Sequence, residues 1–463
     1  MQAGKNSATF TIPGGSSIEV PGDLRLMTPF VLAEQGDWFE SEIHFIRRWL
    51  GPGMGVIDIG ANYGIYTLTC AKLVGPEGRV WAYEPASLPR SFLNRSVAGN
   101  GFNNVEVIDR ALSDHEGSAR MGIAENAELN SLNEAGQSGE TVALTTLDGE
   151  AESFGRDIDF VKLDAEGEEV RILSRAQKFF SRQDPLVMFE YKHGATVNHG
   201  LLDAISALGM GLYRHLPGLN VLVPLTPSDA DDGFLLNVFG CSPERAQSLA
   251  AQGLLVSENM ELPEIEVAGA GDFVADWVEA RPWSRCLWPT RSAVSDRPGA
   301  LVYFAAIAEL IRAEDPQRGI VERIARARRG MANLLVSIRS ECNVSRLLSA
   351  ARVAMDLGQR SASVVMLGEI AKGLAQAGAD VASWVPEPFL PPDRRHDDLS
   401  PPNPDAKNLL SIMVEEPLLE RCAFSQYFLG KRGLPLLERV AQNPLHSAAA
   451  TRRIIAARQV FVS

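Results

Sequence analysis

Short apolar runs alternate with amphipathic stretches between residues 54 and 240. The runs are four to six residues long, a length typical of buried strands, and they are Met54–Ile59, Arg79–Tyr83, Val105–Ile108, Ile158–Leu163, Leu186–Phe189 and Phe234–Phe239. Strand and helix signals that alternate at this spacing predict a doubly wound α/β sheet, in which parallel strands are buried on both faces. We expect six parallel strands and an antiparallel strand at Phe234–Phe239.

The clearest helix predicted between these strands is Glu168–Phe180, where apolar residues recur along one face. By contrast, Ser113–Leu147 breaks the alternation and predicts a hairpin and a loop, inserted before the strand at Ile158. The loop at Asn126–Asn133 is polar and contains several Asn and Ser residues. It could contact an acceptor above a cleft or be a solvated connector, and the sequence favours neither.

The two ends of the chain do not follow this alternation. Residues 1–53 are predicted as a leader with a short strand at Ala8–Ile12 and a helix after it. Helical patterns dominate after residue 240, so 241–463 is predicted as a mostly α-helical accessory region following the sheet domain of 54–240. The Pro-rich stretch at 386–404 predicts a linker or an extended loop.

The composition narrows the classes of function. The chain has 463 residues and a net charge of −14. Contacts to phosphate need clustered Lys and Arg, so this acidic balance argues against a general nucleic-acid binder. Five scattered cysteines, without a CxxC pair or zinc spacing, indicate reduced thiols. We expect a cytoplasmic protein, because no apolar stretch could span a bilayer and the first residues lack a secretory core.

The strongest chemical signal is DIGANYG at 58–64, where an apolar strand ends in a small, turn-prone loop before a helix. Gly60 and Gly64 would let a ligand approach the backbone without a Cβ clash. The start of the following helix offers free N–H groups. Ligands of open α/β sheets bind just beyond the carboxyl ends of the strands, so the sequence predicts a ligand site at this loop.

Glycine spacing and two carboxylates restrict the class of ligand. The patterns GxGxxG and GxxxxGK[ST] are absent from this loop, which argues against a dinucleotide and against a phosphate loop. Asp58 lies inside the turn, where it would repel a pyrophosphate and attract the ammonium and sulfonium groups of S-adenosylmethionine (SAM). Glu84 ends the next strand, where a carboxylate can accept hydrogen bonds from both ribose hydroxyls. The alternative without a ligand is a tight turn and a surface Glu.

Several segments together resemble the FkbM family of methyltransferases. They follow the family's order and are DIGANYG at 58–64, YEP at 83–85, ALSD at 111–114, TLD at 146–148, VKLDAEGEE at 161–169 and FE at 189–190. The resemblance covers the 54–240 portion of the chain. It implies a Rossmann-like class I methyltransferase fold, SAM as the methyl donor, and transfer to a hydroxyl of a sugar or natural product.

The predicted SAM site combines this loop with the ends of the neighbouring strands. Arg110 and Ala111 would line the adenine pocket with their backbone, as the resemblance to this fold implies. The predicted cofactor residues are Asp58, Gly60, Ala61, Asn62, Gly64, Thr67, Glu84, Pro85, Arg110, Ala111 and Asp164.

Three residues at neighbouring strand ends are candidates for catalysis. Asp164 could orient the acceptor hydroxyl or remove its proton, since a hydroxyl is a poor nucleophile until its proton leaves. Glu190 and His193 follow the next strand, and His193 is an alternative base because its ordinary pKa is close to neutrality. Helix capping is the structural alternative for carboxylates here, and we favour it for Glu168 and Glu169.

Three other hypotheses compete with this assignment. Asp164 and Glu190 could hold Mg²⁺, which prefers oxygen ligands, although we assign no metal ligand. An NAD-dependent oxidoreductase is disfavoured by the missing GxGxxG. An interaction module, whose helical half binds a partner beside a vestigial transferase, is disfavoured by the intact Asp58, Glu84 and Asp164. We predict a SAM-dependent O-methyltransferase for a small-molecule or glycan acceptor; helix faces after 241 could support a homodimer or a protein partner.

Overall fold

The computed structural model divides into two compact units. The first ends at Leu255, except that Leu216–Leu219 belong to the second, which continues over Val256–Val462. Within the described residues, no helix is long and apolar enough to cross a membrane. The residues that the structure describes are 7–122, 131–132, 139–193, 196–257, 260–264, 267–288, 296–376, 381–400 and 405–462.

Sixteen strands are described, all of them beginning in the first unit. They are β1 (Ser7–Thr11), β2 (Ser17–Pro21), β3 (Gly55–Ile59), β4 (Arg79–Tyr83), β5 (Val105–Ile108), β6 (Arg110–Leu112), β7 (Gly117–Gly122), β8 (Ser131–Leu132), β9 (Gly139–Thr145), β10 (Phe160–Leu163), β11 (Leu186–Glu190), β12 (Lys192–His193), β13 (Thr196–Val197), β14 (Gly211–Leu216), β15 (Val221–Pro224) and β16 (Asn237–Cys241).

Nine α-helices accompany these strands in the described part of the first unit. They are α1 (Met27–Gln35), α2 (Glu42–Trp49), α3 (Ile65–Val74), α4 (Ser87–Gly99), α5 (Leu147–Glu150), α6 (Glu169–Ser174), α7 (Gln177–Arg182), α8 (His199–Ala207) and α9 (Pro243–Ala251).

A mixed sheet of eight strands organises the first unit, in the order β15-β14-β16-β11-β10-β3-β4-β5. The strands β11, β10, β3, β4 and β5 pair in parallel. The strand β16 pairs antiparallel with both β11 and β14. Helices connect successive parallel strands, which is the doubly wound α/β arrangement expected from the sequence.

Apolar side chains cover both faces of this sheet. Successive strand residues point to opposite faces, and on one face Phe45 and Trp49 of α2 pack edge-on against Phe239 and Phe160. The other face is covered by α6, α7 and α8. The helix α2 and the hairpin of β1 and β2 share the sheet's core, so the predicted domain limit at 54 falls inside this unit. The predicted limit at 240 also falls inside it, because the unit continues to Leu255.

The strand predictions hold best where apolar residues dominate a short run. The predicted runs at Arg79–Tyr83 and Val105–Ile108 coincide with β4 and β5. The expectation of six parallel strands is wrong, because five strands are parallel and the sheet ends in β16, β14 and β15. The strand β14 has the sequence GLYRHL and is half-buried over most of its length, so no apolar run marks it.

The predicted helix at Glu168–Phe180 forms two helices, α6 and α7, and the apolar face predicted for it is buried. The backbone leaves the helical region at Arg175, where φ is −127°. Asp148 stabilises this break, because its N–H donates to the Arg175 carbonyl at 3.1 Å and its carboxylate accepts from the N–H of Phe179 at 2.9 Å. Ile172 and Phe179 are nonetheless fully buried. Periodicity therefore gives the buried face, while a side chain from elsewhere ends the helix.

The hairpin predicted at Ser113–Leu147 is confirmed as part of a second, smaller sheet. Its order is β6-β9-β7-β8, and β7 pairs antiparallel with β9. The predicted loop at Asn126–Asn133 lies outside the described residues, except for the backbone of β8.

The second unit is mostly helical, as expected. Its helices are α10 (Ala270–Glu279), α11 (Ser284–Leu287), α12 (Ala300–Glu314), α13 (Ile320–Ser340), α14 (Val344–Asp356), α15 (Arg360–Gln376), α16 (Ala406–Arg421), α17 (Gln426–Leu429), α18 (Leu434–Gln442) and α19 (Ala448–Ala457). Buried side chains from α10 to α16 form a single apolar cluster.

The Pro-rich stretch predicted as a linker or an extended loop is an extended loop over 386–400 that belongs to this core and is not a linker. Phe389 and Leu390 are buried in the apolar cluster. The carbonyl of Pro388 accepts from the Tyr303 hydroxyl at 2.6 Å, and the carbonyl of Pro392 accepts from the guanidinium of Arg421 at 2.6 Å. Proline lacks an N–H but keeps its carbonyl, so such a segment can be buried when donors reach it. Residues 401–404 lie outside the described part.

Candidate active site

The candidate site lies at the carboxyl ends of β3 and β10, where the order of strands reverses. The chain proceeds from β3 outward to β4 and β5, then returns to β10 on the other side of β3. A reversal of this kind opens a crevice that binds ligands in α/β proteins. Gly60 allows the close approach there, because its φ is +79° and a Cβ would lie 1.8 Å from the carbonyl oxygen of Asp164.

The loop after β3 is fixed to the end of β4 by hydrogen bonds. The N–H groups of Gly60 and Ala61 both donate to the Tyr83 carbonyl at 3.0 Å, and the N–H of Asn62 donates to Glu84 Oε2 at 2.7 Å. The other oxygen of Glu84 accepts from a second backbone N–H at 2.8 Å. Each carboxylate oxygen can accept two hydrogen bonds, so Glu84 keeps acceptor capacity for a ligand.

Asp58 provides a buried carboxylate below this loop. It is 1% exposed, and the Thr67 hydroxyl donates to its Oδ2 at 2.6 Å. Its Oδ1 is buried and has no hydrogen-bond partner in the described part of the chain. Burial raises the pKa of Asp58. Gly64 begins α3 with φ of +97°, where a Cβ would meet Leu93, and α3 brings Thr67 to Asp58.

Asn62 and Glu84 provide a second group of acceptors. Asn62 has φ of +50°, and its Oδ1 is buried without a hydrogen-bond partner among the residues described. Burial raises the pKa of Glu84 to about 7. Buried polar atoms in native proteins are normally paired, so these oxygens fit a ligand that brings hydroxyl or ammonium donors.

Asp164 directly follows β10 and lies beside Lys162, a buried lysine to which the sequence prediction gave no role. Lys162 Nζ lies 2.5 Å from Asp164 Oδ2, and the Asp164 side chain is 27% exposed. Lys162 is also the register partner of Asp58 on β3. Burial lowers the pKa of Lys162, but Asp164, Asp58 and Glu40 raise it more strongly, and the net direction is upward. Lys162 therefore remains an ammonium group among carboxylates.

Glu190 ends β11, the next strand along the same sheet edge. Burial raises the pKa of Glu190 to about 9, and the negative charges of Asp164, Glu166 and Glu40 act in the same direction. This carboxyl group is therefore mostly protonated at neutral pH while the site holds no added cation. The backbone of His193 lies in β12, but its side chain lies outside the described residues, so its role as a base stays a prediction.

Glu40 joins this group from the N-terminal segment and was not predicted from the sequence. The hydroxyl of Tyr66, on α3, donates to Glu40 Oε2 at 2.6 Å. Lys162 Nζ lies 5.0 Å from the centroid of the Tyr66 ring. Burial raises the pKa of Glu40. A lone Glu just before an amphipathic helix gives no motif, so only the fold connects it with the site.

The helix-capping role favoured for Glu168 and Glu169 is wrong, because no side chain caps the N-terminus of α6. Glu169 Oε1 closes the turn before this helix, where it accepts from the N–H groups of Ala165 at 2.9 Å and Gly167 at 3.1 Å. Glu168 instead accepts from the Ser113 hydroxyl at 2.7 Å.

The remaining predicted cofactor residues lie at the ends of β4 and β5. Pro85 follows Glu84, and its carbonyl accepts from the guanidinium of Arg90. The Arg110 side chain pairs with Glu150 at 2.5 Å. Arg110 and Ala111 lie in β6, which pairs with β9 of the smaller sheet, so their place at the adenine pocket stays a prediction. The structure thus places Asp58, Glu84 and Asp164 at the ends of neighbouring strands of the large sheet. Their roles in binding SAM stay predictions.

No metal site is found in the described ranges, where no group of three or more His, Cys, Asp and Glu side chains is arranged to hold an ion. The Mg²⁺ hypothesis for Asp164 and Glu190 therefore has no support in this geometry.

A sheet of this strand order, with acidic side chains where the order reverses, is typical of Rossmann-like methyltransferase domains. Residues 58–209 match the family model described as the methyltransferase FkbM domain, and the chain carries a domain of that family. These residues therefore form a methyltransferase domain. No curated protein matches the chain in sequence.

Solved structures of methyltransferases also align with this chain. A SAM-dependent methyltransferase from Aquifex aeolicus is 15% identical, covering 46% of this chain and 92% of its own, with a TM-score of 0.24. A SAM-dependent O-methyltransferase from Thermotoga maritima is 12% identical, covering 51% and 77%, with a TM-score of 0.26. An rRNA methylase from Streptococcus thermophilus is 14% identical, covering 43% and 93%, with a TM-score of 0.25. Likenesses at these scores support no inference about the acceptor.

Proposed function

We propose that the chain is an O-methyltransferase that moves the methyl group of SAM to a hydroxyl of a sugar, a glycoconjugate or another small natural product. The observation that carries the proposal is the buried Asp58 oxygen without a partner, in a crevice with further carboxylates at β4, β10 and β11. SAM supplies an electrophilic methyl group on a cationic sulfur. A site of excess negative charge attracts such a cation.

The chain offers separate groups for the separate parts of SAM. We assign the ammonium group to Asp58, whose free oxygen needs a donor. We assign the ribose hydroxyls to Glu84 and Asn62, which retain acceptor capacity at the end of β4. The backbone of Arg110 and Ala111 is left for the adenine ring.

Asp164 and Glu190 divide the work on the acceptor hydroxyl. Asp164 is fixed by its ion pair with Lys162, so we assign it the orientation of the hydroxyl. Burial and the neighbouring carboxylates raise the pKa of Glu190 to about 9, and a stronger base removes a hydroxyl proton more readily. The positive charge of bound SAM favours the ionised form of Glu190. The proton of the hydroxyl then passes to this carboxylate as the acceptor oxygen becomes methylated.

The test is calorimetric titration of the full chain with SAM and with S-adenosylhomocysteine (SAH), followed by a screen of hydroxylated acceptors by mass spectrometry. We expect micromolar binding of both ligands and a loss of about 10- to 100-fold in affinity in Asp58→Ala, the usual cost of removing a charged hydrogen-bond acceptor. A gain of one methyl group on a glycan or another hydroxyl acceptor would establish the reaction class.

The matched control is Asp203→Ala, which removes an exposed carboxylate from α8. It should bind both ligands as the unchanged chain does. If the folded protein bound neither SAM nor SAH, the proposal would be wrong. Methyl transfer to a nitrogen or carbon acceptor alone would retain the enzyme class and remove the hydroxyl assignment.

A further inference from the structure

Four carboxylates and one ammonium group meet at the β3, β10 and β11 side of the crevice. Asp58 and Lys162 are buried, while Glu40, Asp164 and Glu190 each retain some exposed surface. Each carboxylate acts electrostatically on Lys162 or on Glu190. The group therefore contains more negative than positive charge when its members are ionised, and one lysine cannot balance it.

The fold holds Glu40 in this group. It lies directly before Ser41 and α2, and Phe45 and Trp49 fix that helix against Phe239 and Phe160 of the sheet. The Tyr66 hydroxyl then holds the carboxylate at 2.6 Å. Glu40 precedes the family match at 58–209, so this chain adds a carboxylate to the site from outside the matched region.

SAM and SAH differ in one respect that such a group can detect. Both contain an ammonium group, a carboxylate and the adenosine portion, but only SAM has a sulfonium charge. Glu84 lies at β4, whereas Glu40, Asp164 and Glu190 lie around β10 and β11. A ribose held at Glu84 leaves these three carboxylates on the side of the crevice toward which the sulfur and the methionine portion extend.

On the basis of the proposed function, we propose that Glu40, Asp164 and Glu190 together recognise the sulfonium charge and make the site bind SAM more tightly than SAH. When the methyl group has been transferred, the sulfur is neutral and this attraction is lost. The same loss of cationic charge restores the affinity of Glu190 for the proton of the acceptor. Loss of the charge therefore favours both proton uptake and departure of the product.

The experiment is calorimetric titration of the full chain at pH 8 with SAM, SAH and sinefungin, which has an ammonium group in the place of the sulfonium. The unchanged chain should bind SAM about tenfold or more tightly than SAH, since one charge pair at partly exposed separations is worth about that factor. In Glu40→Gln, the affinity for SAM and sinefungin should fall about tenfold, while SAH should change less than about twofold.

Glu190→Gln is the second variant, because Glu190 lies on a different strand and would show the same selectivity if Glu40→Gln failed to fold. Glu77→Gln is the matched control; it removes the same charge from an exposed side chain before β4, at the opposite end of the strands. It should leave all three affinities unchanged. Thermal melting of each variant checks the fold.

Two results would overturn the inference while leaving the proposed function intact. One is equal affinity of the unchanged chain for SAM and SAH. The other is an equal loss of all three ligands in Glu40→Gln and Glu190→Gln, which would show that the carboxylates act only on the shape of the site. If the folded chain bound none of the ligands, both proposals would fail.

Discussion

Asp164 and Glu190 end neighbouring strands but differ in their surroundings. Asp164 has an ammonium group 2.5 Å away. Glu190 is buried near the carboxylates of Asp164, Glu166 and Glu40, and Lys162 opposes their effect on it. An opposite charge favours ionisation and neighbouring like charges oppose it. The two carboxyl groups are therefore suited to different tasks, one to fixed orientation and the other to proton uptake.

The affinity for SAM should rise as the pH is raised from neutrality to about 9, the pKa of Glu190. A bound cation favours the ionised form of Glu190. In the free site, burial and then the charges of Asp164, Glu166 and Glu40 keep Glu190 protonated below that pH, against the opposing charge of Lys162. The free energy spent on removing this proton decreases as the pH rises. The affinity for SAM should therefore increase by at most about tenfold per pH unit. Titrations with SAM across this range measure the slope.

Glu190→Gln is the control for this pH dependence, because glutamine does not titrate. The slope with SAM should largely disappear in this variant, and SAH should show a weaker slope than SAM in the unchanged chain. A slope that persists unchanged in Glu190→Gln would assign the titration to a different group and contradict the prediction.

At the scale of elements, the sequence identifies those parts that are determined locally. Strands β4 and β5 are apolar except for Arg79 and Glu106, and they were predicted to the residue. The loop at 58–64 combines small residues with one carboxylate, and it lies where the prediction placed it. Strand β14 was missed because polar residues interrupt it, and Glu40 was missed because its role depends on Tyr66 and Lys162, which are distant in sequence.

The segment at 386–400 is a second case in which contacts with distant parts of the chain decide the structure. Proline and charged residues are typical of exposed linkers, yet Glu387 is 0% exposed. Its two oxygens accept from Nε and from one terminal nitrogen of Arg346, each at 2.8 Å. Arg346 lies on α14, far away in sequence. Local composition could not reveal that a buried arginine would compensate this carboxylate.

Glu387→Ala should therefore destabilise the second unit strongly. Removing one partner of a buried ion pair costs about 3–5 kcal/mol, and the Arg346 side chain is also 0% exposed. Among the residues described, Arg346 would keep as an opposing charge only the more distant Glu341 carboxylate, at 3.7 Å. Chemical denaturation of the full chain, followed by tryptophan fluorescence, measures the loss.

Glu369→Ala is the control for this element, because Glu369 pairs with Lys372 on α15 at 2.6 Å with both side chains well exposed. Exposed pairs contribute about 0–1 kcal/mol, so this variant should unfold almost as the unchanged chain does. Similar denaturation curves for the two variants would show that the Arg346 pair contributes no more than a surface pair.

At the scale of the whole molecule, the extent of the transferase unit is wider than its family match. The match covers 58–209, but the hairpin of β1 and β2, the helix α2 and the helix α9 share the apolar core of the sheet. The segment after β16 belongs to this core too, since the N–H of Leu222 donates to the Leu254 carbonyl at 2.9 Å. We therefore propose Leu255, rather than residue 240, as the end of the transferase domain.

Two shortened chains test this boundary against each other. A chain ending at Leu255 should melt cooperatively and bind SAM within about threefold of the full chain, because it keeps the core of the first unit. A chain ending at residue 240 loses Cys241 and the buried Leu249, Leu254 and Leu255. The loss of each buried leucine costs about 2–5 kcal/mol. The sum over three leucines is comparable with the whole stability of an ordinary domain, so this chain should be largely unfolded. If the longer fragment folded but did not bind SAM, residues after 255 would be required for the site. If the shorter fragment folded and bound SAM normally, the core after β16 would be dispensable and the boundary at 240 would stand.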